Sequence, residues 1–175
     1  MKEFICKPLN LVSLPANDKI ELDKFNKKVA ELTRAITGVD AYREELVKKL
    51  SYLKKAVIET PEVPAETDKT ISKIELDLKE LNRKINGDQL RARYEGGSPT
   101  SVKGRVELIT GALWSTTAAP TTTFLKSYNA AADKYDEIIA SIKSIDENIK
   151  HVETTLEKYN APYTPGRLPE WKKVD

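Results

Sequence analysis

A chain of 175 residues, 39% apolar and 32% charged, is long enough to bury a core without disulfide or metal staples and suits a single domain. Its 29 basic and 27 acidic side chains leave a formal charge of +2, with the signs interleaved along the chain, which excludes the basic stripe of a nucleic-acid binder. Cys6 is the only cysteine, so an internal disulfide is excluded; no apolar run approaches the ~20 residues needed to cross a bilayer.

Residues 1–16, MKEFICKPLNLVSLPA, hold two prolines and a brief β-like run, Phe4-Ile5-Cys6. They are expected to form an extended lead-in, or the last strand of a preceding β segment. They also lack the basic start, apolar core and small-residue cleavage site of an export signal. Asn17 or Asp18 then offers an N-cap, with Asp18 and Glu21 placing negative charge where the helix dipole favours it.

A first helix is predicted over about 18–59. Leu22, Phe25, Val29, Leu32, Ile36, Val39, Leu46, Leu50, Leu53 and Val57 alternate at three and four residues, the seam of a left-handed supercoil. Arg43 is its one breach, expected to snorkel or to pair with a carboxylate. Gly38 hints at a close helix crossing, and Pro61 and Pro64 end the helix.

The same spacing in Ile71, Ile74, Leu78, Leu81 and Ile85 predicts a second helix over about 67–86, starting near Thr67 or Asp68 and closed by Asn86-Gly87. A loop over 88–101 follows. A third helix over about 101–114, capped by Ser101, turns Val102, Val106, Ile109 and Leu113 to one side. STTAAPTTT breaks the chain, and a fourth helix over about 122–160 places Leu125, Tyr128, Ala132, Tyr135, Ile139, Ile142, Ile149, Val152, Leu156 and Tyr159 inward. Residues 161–175 form a Pro/aromatic strap.

Lengths then suggest the assembly. The two long helices reach on the order of 60 Å each, and the two short ones laid end to end nearly match them. The expected fold is therefore all-α, an elongated antiparallel bundle of three columns in which two long helices flank a broken middle one. An intermolecular coiled coil is the competing arrangement. Flanking Ile20, Tyr42, Val47, Ile138 and Ile145 widen the seams beyond a coiled-coil stripe and favour the bundle, with a monomer or weak homodimer expected.

Chemistry is sparse. His151 has no second histidine or cysteine to complete a zinc set, Glu44-Glu45 and Asp136-Glu137 sit beside lysines as surface ion pairs do, and Gly96-Gly97 lacks phosphate-loop spacing. No catalytic, metal or cofactor residue is expected. Two segments carry residue types that anchor interfaces: Arg91, Arg93 and Tyr94 in the 88–101 loop, and Tyr163, Arg167 and Trp171 in the tail. The plainer expectation for the tail is a cover, with Tyr163 and Trp171 over the bundle end and Trp114 doing the same nearby.

Five blocks, KPLNLVSLPANDK (7–19), FNKKVAELTRAITG (25–38), ELNRKINGD (80–88), GRVELITGALWSTTAAPT (104–121) and NAPYTPGRLPEW (160–171), resemble the C-terminal helical region of large bacterial proteins with sortilin-like (VPS10) or BNR-type β-propellers, often labelled glycosyl-hydrolase-like. The resemblance implies an appendage of an exported periplasmic or cell-surface parent, with the parent's propeller or another protein as partner, no membrane insertion and no nucleic acid. No Asp-box repeat occurs here, so no catalytic position carries over. A stand-alone oligomerising adaptor is the alternative; less favoured is a hydrolase with Glu44, Glu137 or His151 as acid or base.

Overall fold

The computed structural model describes Ile5, Asn17, residues 19–95 and 100–169, Trp171 and Lys173. Five helices follow one another, α1 (Lys19–Ile58), α2 (Ala65–Asn86), α3 (Gln89–Tyr94), α4 (Val102–Leu113) and α5 (Thr122–Lys158), and no strand occurs among the described residues. Ile5 apart, the expected lead-in lies outside them, as does the Asp18 cap.

The apolar periodicity determines how the helices lie. Phe25, Val29, Leu32, Ile36, Leu46, Leu50, Leu53 and Val57 of α1 are buried and face Ile71, Ile74, Leu78, Leu81 and Ile85 of α2, Val102, Val106 and Ile109 of α4, and the isoleucine seam of α5 in one core. α1 packs on α2, α4 and α5, so its heptads find their partners within the chain. Ion pairs report the register. Lys54 of α1 meets Glu75 of α2, which runs antiparallel to it, whereas Phe25–Tyr128, Tyr42–Asp146 and Lys49–Glu153 join α1 to α5 at a near-constant offset, so those two run parallel.

α2 and α4 make up the middle column. Gly87, just past α2, has φ +84 and ψ 172, and a Cβ there would sit 3.3 Å from the Cβ of Ser101, the cap of α4. The column is thus almost continuous in space, and the segment between α2 and α4 begins at Gly87 and ends at Ser101 side by side.

Several local expectations change. α2 begins at Ala65 after Pro64, two residues before the expected start near Thr67: Pro64 presets the backbone of the entry, its carbonyl accepts from the Thr67 N–H at 2.8 Å, and Thr67 is buried. Gly38 marks no helix crossing, because its surroundings are open. In the first half of α5 the seam falls one residue earlier than expected, on Ser127, Ala131 and Ile138, with Leu125 turned outward at 44% exposure. Small residues there let the neighbouring helices come close, and the larger Tyr128 and Tyr135 cover the flanks.

α5 ends in a Schellman motif. Asn160 takes φ +52, its N–H donates to the Glu157 carbonyl, and the Ala161 N–H donates to the Leu156 carbonyl at 3.0 Å. This reversal starts the strap. Ala161 and Thr164 are buried, and the Arg167 guanidinium donates to Glu157 and to the Pro162 carbonyl while lying 5.3 Å from the Tyr163 ring. Gly166, at φ +93, lies against Lys49 of α1. The aromatic cover does not form. Tyr163 is 47% exposed, Trp171 82% and Trp114 92%, whereas Ala161 is the buried apolar residue at the start of the strap. Truncation after Asn160 is expected to lower the melting temperature by about 2–6 °C, the loss of on the order of 1–2 kcal/mol in a domain this size, as read by scanning calorimetry.

The α1/α5 boundary carries a polar ladder. The Tyr42 hydroxyl donates to Asp146 Oδ1 at 2.8 Å, Lys150 lies 2.6 Å from Asp146 Oδ2, and Lys49 lies 2.9 Å from Glu153 as a charge contact without hydrogen-bond geometry. The hydrogen bond to Asp146 pushes the Tyr42 phenol up to about 12, with burial and the negative charges of Asp146 and Glu45 adding to it. A raised folded pKa means a contribution complete below the unfolded value near 10 and lost as pH rises through 12. Wild type should therefore lose stability between about pH 10 and 12 more steeply than Tyr42→Phe in parallel urea titrations.

Candidate functional site

The breach in the α1 seam leads to the first site. Arg43 is buried although charged, and its guanidinium reaches back one turn to Asp40, Nε at 2.9 Å and Nη2 at 2.8 Å from Oδ1. Asn86, the last residue of α2, donates to the same oxygen at 3.0 Å, and Lys103 in the first turn of α4 lies 3.5 Å from Oδ2. Asp40 therefore ties three helices at the point where the middle column breaks. Burial pushes its carboxyl up, but hydrogen bonds from Arg43 and Asn86 with the charges of Arg43 and Lys103 outweigh that and hold it below the usual carboxylate range. The node is a clamp, not a proton donor.

The segment that leaves at this clamp is the second feature. The loop expected over 88–101 is helical in its first half: the Asp88 side chain accepts from the Arg91 N–H at 3.0 Å, and Arg91 pairs with Glu95 at 2.7 Å one turn on. This cap and i,i+4 pair support a short helix that glycine and proline further on had masked in the sequence. Residues 96–99 lie outside the described residues. Leu90, Arg91, Ala92, Arg93 and Tyr94 are all exposed, Leu90 at 69% and Tyr94 at 78%, and Arg93 stacks 5.9 Å from the Tyr94 ring.

Beside α3 runs a groove of about 560 Å³ between α1 and α2. Val47, Leu50 and Leu78 line it, Leu90 stands at its end, and Lys54, Lys79, Glu75 and Arg83 form its edges. Tyr42 and Val47 flank the α1 seam on opposite sides. On the Tyr42 side the hydroxyl is held by Asp146 of α5 with the residue 40% exposed, and on the other side Val47, 44% exposed, lines the α1/α2 groove.

Of the residues singled out in the sequence, Arg91, Arg93 and Tyr94 come together on α3, and Tyr163 and Arg167 come together in the strap. The two groups are not joined: the strap lies against Lys49 and Glu157, and α3 leaves from the Asp40 level of the middle column. Trp171 is exposed with neither. Sequence reasoning missed Asp40, Asn86 and Lys103, although a carboxylate three residues before the buried Arg43 was a readable signal. Glu44, Glu137 and His151 are exposed on separate surfaces, and among the described residues no group of three or more His, Cys, Asp or Glu side chains is placed to hold a metal ion.

Comparison with protein-family models, with curated proteins and with solved structures finds no match.

Proposed function

We propose that this chain is a non-catalytic helical interaction domain that docks through α3. The observation that carries the reading is the interruption of the middle column: the segment between α2 and α4 begins at Gly87 and ends at Ser101 side by side, and it exposes Leu90, Arg91, Arg93 and Tyr94 above a clamped junction. Compact excursions whose ends meet are frequent carriers of function, and exposed Arg and Tyr on a rigid scaffold are common interface anchors.

The two partly buried carboxylates at the helix junctions, Asp40 and Asp146, are poorly suited to general-acid work. Asp40 and Asp146 are held more acidic than ordinary carboxylates by their hydrogen-bond partners despite burial, the reverse of the raised pKa a general acid needs near neutral pH. By resemblance of its sequence blocks, the domain is an accessory to an exported parent of the sortilin-like or BNR-propeller type, propping the propeller or presenting α3 to another protein. A reading frame with a propeller and an export signal upstream supports that context, and one lacking both overturns it.

Docking itself is tested by placing a photo-crosslinking amino acid at Tyr94 and, as control, at exposed Leu76 on α2, in cells that make the protein. A discrete adduct from position 94 that is absent from position 76 is expected. No adduct, or the same adducts from both positions, overturns the reading.

A further inference from the structure

The three long grooves of the bundle are not equivalent. The α1/α5 groove is bridged by the Tyr42–Asp146 and Lys49–Glu153 contacts and overlain near Lys49 by the strap. Along α2/α5 lie only smaller hollows lined by polar and charged groups such as Asp77, Lys84 and Ser141. The α1/α2 groove is open, with an apolar floor of Val47, Leu50 and Leu78 and with Leu90 at its end.

Resting on the reading of α3 as a docking element, we propose that this groove seats one amphipathic α-helix of a partner protein, whose apolar stripe is flanked by acidic side chains. Length sets the size of the occupant. From Arg43 to Lys54 the α1 wall runs about 16 Å, three helical turns, and the groove is open along that run, so it suits a rod and not an enclosed small molecule. Its apolar floor beside a long helix pair matches the helix-in-groove mode of recognition.

Charge chooses the partner. Arg43 is answered from behind by Asp40. At the edge, Lys54 and Lys79 divide a single carboxylate, Glu75, and Asp88 is engaged in capping α3. Arg83 stands 3.7 Å from both Glu80 and Asp88, beyond hydrogen-bond distance, and Glu80 faces the α5 side. Among the edge residues that line the groove, Lys54, Lys79 and Arg83 outnumber Glu75 and Asp88, and acidic side chains on a docked helix would complement them. The chain's own terminal segments fit poorly: MKEFICKPLNLVSLPA has two lysines to one glutamate and two prolines, and RLPEWKKVD is also basic.

The test uses the full chain and three synthetic fluorescent peptides of about 18 residues: an amphipathic helix with leucines at a and d and glutamates at the flanks, the same stripe with lysine flanks, and a scramble of the first. Anisotropy titration is expected to show the acidic helix binding at least about tenfold more tightly than either control. Val47→Glu and Leu90→Glu, both at exposed positions, should each weaken it on the order of tenfold, and Lys79→Glu with Arg83→Glu should reverse the preference toward the lysine-flanked peptide. Circular dichroism and melting temperature establish that each variant is folded. No binding up to about 1 mM, equal affinity for both flank types, or binding unmoved by Val47→Glu overturns the inference. Concentration-dependent self-association abolished by Val47→Glu assigns the groove to a second copy and overturns it as well. The docking role of α3 is judged separately, by the cross-link at position 94.

Discussion

Asp40→Ala is expected to lower the unfolding free energy by about 3 kcal/mol, measured by urea denaturation at neutral pH. The substitution leaves the Arg43 guanidinium inside the seam with its main partner removed, and it frees Asn86 and Lys103 from the oxygens they share. Breaking one half of a buried ion pair typically costs 3–5 kcal/mol; the low end applies because Glu44, on the solvent side, remains 3.3 Å from Arg43. In a domain of this length the melting temperature should fall by about 6–12 °C. Replacing both charges, Asp40→Leu with Arg43→Leu, should recover most of the loss, since exchanging a whole buried pair for apolar groups is close to neutral. A single variant as stable as wild type would mean that the clamp holds nothing. Because the folded carboxyl is more acidic than the unfolded one, this contribution is present above about pH 4 and disappears as pH falls through the folded value.

Gly87→Ala is expected to cost about 2–3 kcal/mol and to loosen the junction between α2 and α4. At φ +84 and ψ 172 the residue occupies a region that is nearly exclusive to glycine, where an L side chain is strained by about 1–3 kcal/mol. The added methyl also meets Ser101, the residue whose hydroxyl accepts from the Gly104 N–H at 3.0 Å to start α4. Gly38→Ala is the matched control. Gly38 lies inside α1 with nothing within 4 Å of its would-be Cβ, so alanine should stabilise there by about 0.5–1 kcal/mol through helix propensity. Opposite signs at two glycines of one molecule are read by the same denaturation experiment. Equal effects at both would refute the strained backbone at position 87.

Burial patterns were legible to different degrees along the chain. In α1 and α2 nearly every apolar residue on the 3-4 spacing is in the core, because most large aliphatic side chains keep that spacing and the few off it, such as Val47 and Leu76, form no competing stripe. In the first half of α5 apolar residues lie on adjacent positions, Phe124 beside Leu125 and Ala130, Ala131 and Ala132 in a row, and periodicity could not choose between them. The choice fell to the packing of α5 on the other helices, which buries Ser127, Ala131 and Ile138, and that geometry depends on segments far away in the chain. Aromatic residues misled for the related reason that their size suggests burial, yet Trp114 is 92% and Trp171 82% exposed.

The candidate site divides in the same way. Arg91, Arg93 and Tyr94 were recognisable because they are chemically distinctive within a stretch that breaks the helical pattern. Their helical setting depends on the Asp88 cap and the Arg91–Glu95 pair, short-range features that the Gly/Ser/Pro content of the segment outweighed in the reading. The groove had no sequence signature at all: Val47 and Tyr42 flank the seam as equals, and only the position of α5 gives Tyr42 a hydrogen-bond partner while Val47 lines the groove.

By itself the amino-acid order determined an all-α chain, the helix seams, the proline breaks and Ser101 as a cap, since each follows from side-chain spacing or from backbone chemistry within a few residues. Tertiary structure alone decided that Arg43 is matched to a carboxylate shared by three helices, that the segment between α2 and α4 begins and ends side by side, and which groove stays open. Those outcomes depend on distances between segments far apart in the chain, and no local rule of spacing contains such distances.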